Sequence, residues 1–513
     1  MKRLTIAAAA VGTALALQAG RPVAKWDVIP YQRVNGVFNA GVVAFHEKGV
    51  SVEFTVNGEK AHVASAPELN PRTKVWEYVL PLDVGKYPDG ELTLGATATS
   101  PDGESYVLPE ISLYANAGKT MGSRKAAWVD PVNGNEFAAG TKAEPVKSIY
   151  QGLQRAGDGG VIFLLPGTYQ ARLSGGGLKR RFWTIITPAP GVPRDQVKIS
   201  GGRPGTEKIR YRNVEFFCDC SEGYDAIVMG EGGATSAWFD NCRFYNKQGR
   251  YGGSTTPFGN KLHAYVTGGV TEEMGNGPCC EFVRDHTVRE IASDAFTCND
   301  CLVVNSTVAD IDPGDTSADP DVFSGFAIGT NWIHDVILYN VKATDVKGKG
   351  IAGQRLRDSA FVNIVVENTG GDLVYSRFSE EMENVYFAHL TLVDQKWQWM
   401  QTKNGRGDFK PKGVTMVNCV FKEMEGYPTG DGSAGLAVRN CAWYNKDFYG
   451  KTETFGEDPV VIDREFANPA EGNFAVPATS NASTGGMELS GVPADVNGER
   501  YPAGMRPCGA YAK

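Results

Sequence analysis

After Leu17 the 513-residue chain has no apolar run long enough to cross a bilayer as a helix. It also lacks a surplus of positive charge: 51 Lys and Arg face 59 Asp and Glu, a net charge of −8. That balance argues against a basic nucleic-acid-binding surface as the main function. The 62 glycines follow no Gly-X-Y period, which excludes collagen. Cys298-Asn-Asp-Cys301 has no second CxxC at a zinc-ligand spacing and no βαβ pattern around it, so neither a zinc site nor a redox motif is indicated. The ten cysteines, the vicinal Cys279-Cys280 among them, are expected to pack or to form disulfides.

What is present begins with a leader. Met1-Lys2-Arg3 is basic, Leu4 to Leu17 is apolar and Ala-rich, and Leu17-Gln18-Ala19 before Gly20 reads as a cleavage site. Residues 1–19 are therefore expected to be a secretory signal peptide, the mature chain (two cations fewer, net −10) being secreted or periplasmic. Glycine at about 12% is well above the usual ~7%, which points to many tight turns. From about Arg21 to Asn116, short alternating runs such as Val52-Glu53-Phe54-Thr55-Val56 and Val75-Trp76-Glu77-Tyr78-Val79 lie between turn signals such as Asn57-Gly58 and Pro101-Asp102-Gly103. This predicts a small β-sandwich over 20–116. The stretch from Tyr87-Pro88-Asp89-Gly90 to Ala98 resembles the late strands of bacterial immunoglobulin-like modules. Further on, Pro145 is expected to open a short amphipathic helix and Gly159-Gly160 to release it into a buried strand.

The rest of the chain repeats. An Asn-like residue precedes a short strand sequence at Asn213, Asn241, Asp285, Asn305, Asn340, Asn363, His389, Asn418 and Asn440, with Thr267 a further candidate. A period mostly in the twenties with one strand sequence per repeat indicates a solenoid. Asn tolerates the left-handed backbone of a tight turn, so the column is expected to be structural. The repeat, the segment from Trp128 to Tyr169 and the closing stretch from Asp458 to Tyr511 resemble the pectate-lyase-like right-handed parallel β-helix superfamily. The resemblance implies an all-β fold, with the solenoid over 117–457 and its closing segment over 458–513. It also implies a secreted protein acting on or binding polysaccharide, since the superfamily holds lyases, hydrolases, epimerases and adhesins. The catalytic motifs of its polygalacturonases and pectate lyases are absent, so no catalytic residue is carried over.

In such a solenoid, residues at equal offsets from the marker stack about 4.8 Å apart. Offsets of seven and nine give Asp294, Asp312, Lys347, Lys349, Asp372 and Lys396, and offsets of fourteen or fifteen give Arg355, Arg377 and Lys403. Carboxylates beside cations suit either uronate β-elimination, which needs a base and a carboxylate binder, or hydrolysis, which needs two carboxyl groups. Asp294 and Asp312 are expected as an acid/base pair or Ca²⁺ ligands, with Asp319 and Asp321 contributing from the acidic stretch after Asp310. A merely solvated acidic loop is the alternative. Lys349 is the expected base, and Arg355 and Arg377 the expected carboxylate binders. Trp332, Tyr375, Trp397 and Trp399 are expected to offer flat faces to sugar rings. The expected activity is lyase cleavage of a uronate-containing polysaccharide by a monomer. A glycoside hydrolase and a non-catalytic binding rod remain open. Register also predicts a Cys419–Cys441 disulfide.

Overall fold

The computed structural model describes residues 20–118, 124–170, 180–201, 207–229, 235–259, 262–316, 318, 320–325, 332–353, 355–367, 374–376, 381–393, 400–402, 410–422, 435–443, 456–461, 464, 466–471, 473–502 and 504–511. Between Val23 and Ala115 two sheets face each other. One joins Val23–Trp26, Val37–Phe45, Trp76–Asp83 and Glu68–Leu69; the other joins Arg33–Val34, Ile111–Ala115, Gly90–Thr99, Ser51–Val56 and Glu59–Ala64. Alternation decides which side chains go inside: Val52, Phe54 and Val56 are buried while Glu53 is exposed. The hairpin after Val56 turns on Asn57 and Gly58, both at positive φ (54° and 80°), as a two-residue loop matched to strand twist requires. Trp26, Val42, Phe54, Tyr78, Leu92 and Leu113 fill the space between the sheets.

From Ala126–Val129 onward the strands pair in parallel with the next coil, giving a right-handed parallel β-helix. All nine markers adopt positive φ, from 49° to 57°. At three steps where Asn follows Asn the amides bond along the axis: Asn241 donates to Asn213 at 2.8 Å, Asn340 to Asn305 at 3.0 Å and Asn363 to Asn340 at 3.0 Å, whereas the Asn440 amide donates to the Gly485 carbonyl. Thr267 is not a member, because it pairs with Asp240, the residue before a marker, and Gly268 (φ 64°) makes the turn. In-register stacking also aligns the interior aromatics. Tyr211 and Phe239 stack 5.5 Å apart, Phe216 and Phe244 5.3 Å, and Phe361 and Phe387 5.3 Å. Each large ring so buried contributes about 3–5 kcal/mol against truncation to alanine.

Two local expectations are corrected. Helix Ile149–Ala156 is opened not by Pro145 but by Ser148, whose hydroxyl and backbone form a reciprocal capping box with Gln151; Gly157 ends it. Cys419 and Cys441 are free, buried thiols. Aligned side chains on neighbouring coils point the same way about 4.8 Å apart, whereas a disulfide wants its Cβ atoms about 3.8 Å apart. Cys298 and Cys301 are bonded to each other.

Of the three faces of the solenoid, the first lies under the sandwich. Trp183, Trp238, Phe282, Leu302, Ile337 and Tyr339 pack against Val23, Ile29, Phe45 and Val75. Arg21 of the sandwich side bridges Asp335 and Asp358 at 2.7 and 2.9 Å. The second face, towards its C-terminal end, is covered by the closing segment, where Val365, Val393 and Val420 meet Phe466, Phe474 and Val476. The third face carries Tyr224–Val228, Ser254–Phe258, Phe296–Thr297, Asp321–Gly325, Lys349–Gly353, Val374–Ser376 and Met400–Thr402.

Near the sandwich junction Glu77 is fully enclosed, accepting from Asn70 at 2.7 Å and Thr73 at 2.6 Å. Burial, then the nearby Asp27, raise its pKa well above the usual carboxylate range. A carboxyl raised in the folded state binds its proton more tightly there than in the unfolded chain, so its contribution is fully present below the ordinary pKa and is lost as pH rises. Glu77→Gln, which keeps the accepting oxygen, is expected to raise the melting temperature at pH 8 by a few degrees and by less at pH 5. Equal shifts at both pH values in thermal melts would refute this.

Candidate functional site

The coil that contains Asn305 leaves its second-face strand at Ile311, and register sets the positions of the residues beyond it. Ile291, Ile311 and Val346 stack, Asp312 N donates to Ile291 O and Lys347 N to Ile311 O, both at 2.9 Å. Lys347 thus stands over Asp312, with Nζ 2.5 Å from Oδ2. Asp312 Oδ1 also accepts from Gly314 N at 2.9 Å. The Lys347 hydrogen bond and then the Gly314 amide hold the Asp312 carboxyl below its usual range. Two residues before Asp312, Asp310 is gripped by Arg250 through two nitrogens at 2.9 and 3.0 Å.

A second column begins the third face. Phe296, Phe323 and Ile351 are in register, which places Asp294, Asp321 and Lys349, each two residues earlier, one above another. Ala295 N donating to Asp321 O at 2.8 Å confirms the alignment. Asp294 and Asp321 are buried, and Lys349 Nζ lies 3.8 Å from Asp321 Oδ1 with only 13% of its side chain exposed. At the far end of these strands, pairing of Ile333 with Leu356 brings Trp332 beside Arg355. The guanidinium carbons of Arg355 and Arg357 each lie 5.6 Å from the Trp332 ring centre. Five residues of strand separate the two ends, about 15 Å.

The structure therefore brings Asp294, Asp321 and Lys349 together, and Trp332 with Arg355. It separates Asp312 from Asp294. The stretch from Asp312 to Pro320 is an insertion before the third-face strand, so counting forward from Asn305 stops in the loop and the stacked position falls on Asp321 instead. Asp319, Arg377, Trp397 and Trp399 lie outside the described residues. Tyr375 is placed by its backbone alone, in register with Ala352 and Gln401. The common offset of seven aligns Lys347 with Asp312, as the structure has them, but forward counting passed over Arg357 as a second cation at Trp332. A usable signal was the apolar residue two positions on, as in Asp294-Ala-Phe296, Asp321-Val-Phe323 and Lys349-Gly-Ile351.

Among the described residues no three His, Cys, Asp or Glu side chains gather to hold a metal ion. Of the carboxylates offered for Ca²⁺, Asp312 faces the ammonium group of Lys347 and Asp321 that of Lys349. Neither of these ion-paired carboxylates gathers, among the described residues, the six to eight oxygens calcium takes. What the arrangement can do is move protons at Lys349 and Asp321 and hold an anion at Arg355 and Arg357.

No protein-family model matches the chain, and no curated protein matches it. Among solved structures it is similar to the family 28 exopolygalacturonase of Yersinia enterocolitica, over 86% of this chain and 99% of that one, at 10% identity and a TM-score of 0.35. It is similar to pectate lyase Pel9A over 76% and 97%, at 13% identity and 0.38. With the GH136 lacto-N-biosidase of Eubacterium ramulus the coverage is 58% and 68%, at 11% identity and 0.38. Likeness at these values carries no conclusion about activity; the fold rests on the strand register itself.

Proposed function

We propose that the protein cleaves a uronate-containing polysaccharide by β-elimination on the third face of its solenoid. The carrying observation is the Lys349–Asp321 pair at 3.8 Å, on the same strands that lead to Arg355 and Arg357 around Trp332. Arg355 and Arg357, about 15 Å along the strands, bind the carboxylate of one uronate of the polymer and so set its register, which presents the proton beside a second uronate carboxylate to Lys349. Lys349 in its neutral form takes that proton, and the C–H electron pair becomes a carbon–carbon double bond. The glycosidic C–O bond breaks, and its oxygen takes a proton back from the ammonium. Asp321 holds the amine in place and stabilises the charge it gains. Trp332 stacks on a sugar ring.

One observation favours a second reading. Asp294 and Asp321 occupy neighbouring coils, about 4.8 Å apart by strand spacing, near the separation of the two carboxyl groups in retaining glycosidases. The test incubates the protein with acidic polysaccharides and follows ultraviolet absorbance and reducing ends together. Both are expected to rise, because elimination creates a conjugated uronate double bond. Reducing ends without absorbance would replace elimination by hydrolysis, and neither signal would reject cleavage of those glycans.

A further inference from the structure

Where the first coils meet the sandwich, positive charge accumulates in a chain of net charge −8. Arg33 leaves the sandwich strand Arg33–Val34 and lies over the Phe182 ring at 4.1 Å. It makes no hydrogen bond or ion pair among the described residues, and its Nε is buried without a partner. Among the described residues Arg124 has one hydrogen bond, 3.4 Å to the Trp183 carbonyl. Its pKa is lowered by burial and then by repulsion from Arg33, Arg210 and Arg212, so the four guanidinium groups share one neighbourhood. Arg210 and Arg212 both donate to the same oxygen of Asp240, at 2.6 and 2.9 Å, and Arg210 also lies over Trp238 at 3.6 Å. Arg181 lies over the same Phe182 ring at 5.1 Å and pairs with Asp158 at 3.5 Å, so five cations share two carboxylates, Asp158 and Asp240, with aromatic rings among them. Each guanidinium carries five donors, and among the described residues most of those on Arg33 and Arg124 have no protein acceptor.

We infer that this patch is an accessory binding site for a carboxylate-bearing polysaccharide strand, separate from the site of cleavage. Guanidinium groups match carboxylates in a planar, two-bond geometry, and the rings beside them suit the apolar faces of sugars. Five coil steps separate the Arg210 strand from the one beginning at Ile337, about 24 Å along the axis, so the patch holds polymer at a distance from Lys349. The choice of a uronate polymer rests on the proposed function.

The test is affinity electrophoresis of the full chain through gels containing polygalacturonate, at low and high salt, with trigalacturonate cleavage measured in parallel. Arg33→Ala/Arg124→Ala is expected to lose about tenfold or more in polymer affinity. Arg181→Ala/Arg212→Ala, which changes only exposed side chains and so spares the fold, should lose severalfold. Wild-type retardation should fall as salt rises, and cleavage of the short substrate should not change. Wild-type affinity in both variants would overturn the inference, as would equal retardation by a neutral polysaccharide or tighter binding to double-stranded DNA. Affinity lost in the variants, with no cleavage of any substrate by the wild type, would keep the accessory site and reject the catalytic reading.

Discussion

Lys349→Ala should lower the rate of cleavage by about 10²–10⁴-fold, the usual contribution of a positioned acid–base group. Asp312→Asn should leave it within a few-fold of wild type. The contrast comes from register. Lys349 stands over Asp321 at 3.8 Å with little exposure, whereas Asp312 is tied to the exposed Lys347 at the rim. An exposed pair of that kind contributes little to either stability or chemistry. Lys349→Arg keeps the charge opposite Asp321 but not a base of suitable strength, so it should restore the melting temperature without restoring turnover. Full activity in Lys349→Ala, or a folded Asp312→Asn with none, would move proton transfer out of the third-face column. Initial rates on the polysaccharide that responds, with thermal melts of the same samples, decide between these results.

The solenoid was legible because its geometry repeats in the sequence. All nine markers sit at positive φ, a region in which Asn, Asp and His are enriched among non-glycine residues. The site was only partly legible. Offsets from the marker work while coils are equal in length, which places Asp294 and Lys349 correctly in one column, and fail across the insertion that begins at Asp312. A second column of left-handed turns, at Glu273, Glu290, Asp310 and Asp345, went unread because glutamate is no ordinary signal for positive φ. The seating of the sandwich was out of reach altogether. Its contacts, such as Arg21 with Asp335, join residues 314 apart and leave no periodic trace.

The largest stability effect is expected at that seating. Asp27 is fully buried, and Arg284 of the solenoid donates to its carboxylate. Arg72 Nη2 caps the Asp27 carbonyl oxygen at 2.6 Å. Burial acts to lower the pKa of Arg284, but Asp27 and then Asp285 overcome it, and the group stays above its ordinary value. Two desolvated charges of this kind add little net stability over a well-packed apolar pair, yet removing one strands the other. Arg284→Ala should therefore lose about 3–5 kcal/mol in denaturant unfolding. Asp27→Leu combined with Arg284→Met removes both charges and should recover most of it. The failure should begin at the junction, because Asp27 belongs to the sandwich and Arg284 to the first face beneath it. A single-mutant loss below about 1 kcal/mol would mean that water reaches this pair and that apolar contacts around Phe45 and Tyr339 alone hold the sandwich down. A double variant as unstable as the single one would mean that the charges themselves, together with Arg72, organise the junction.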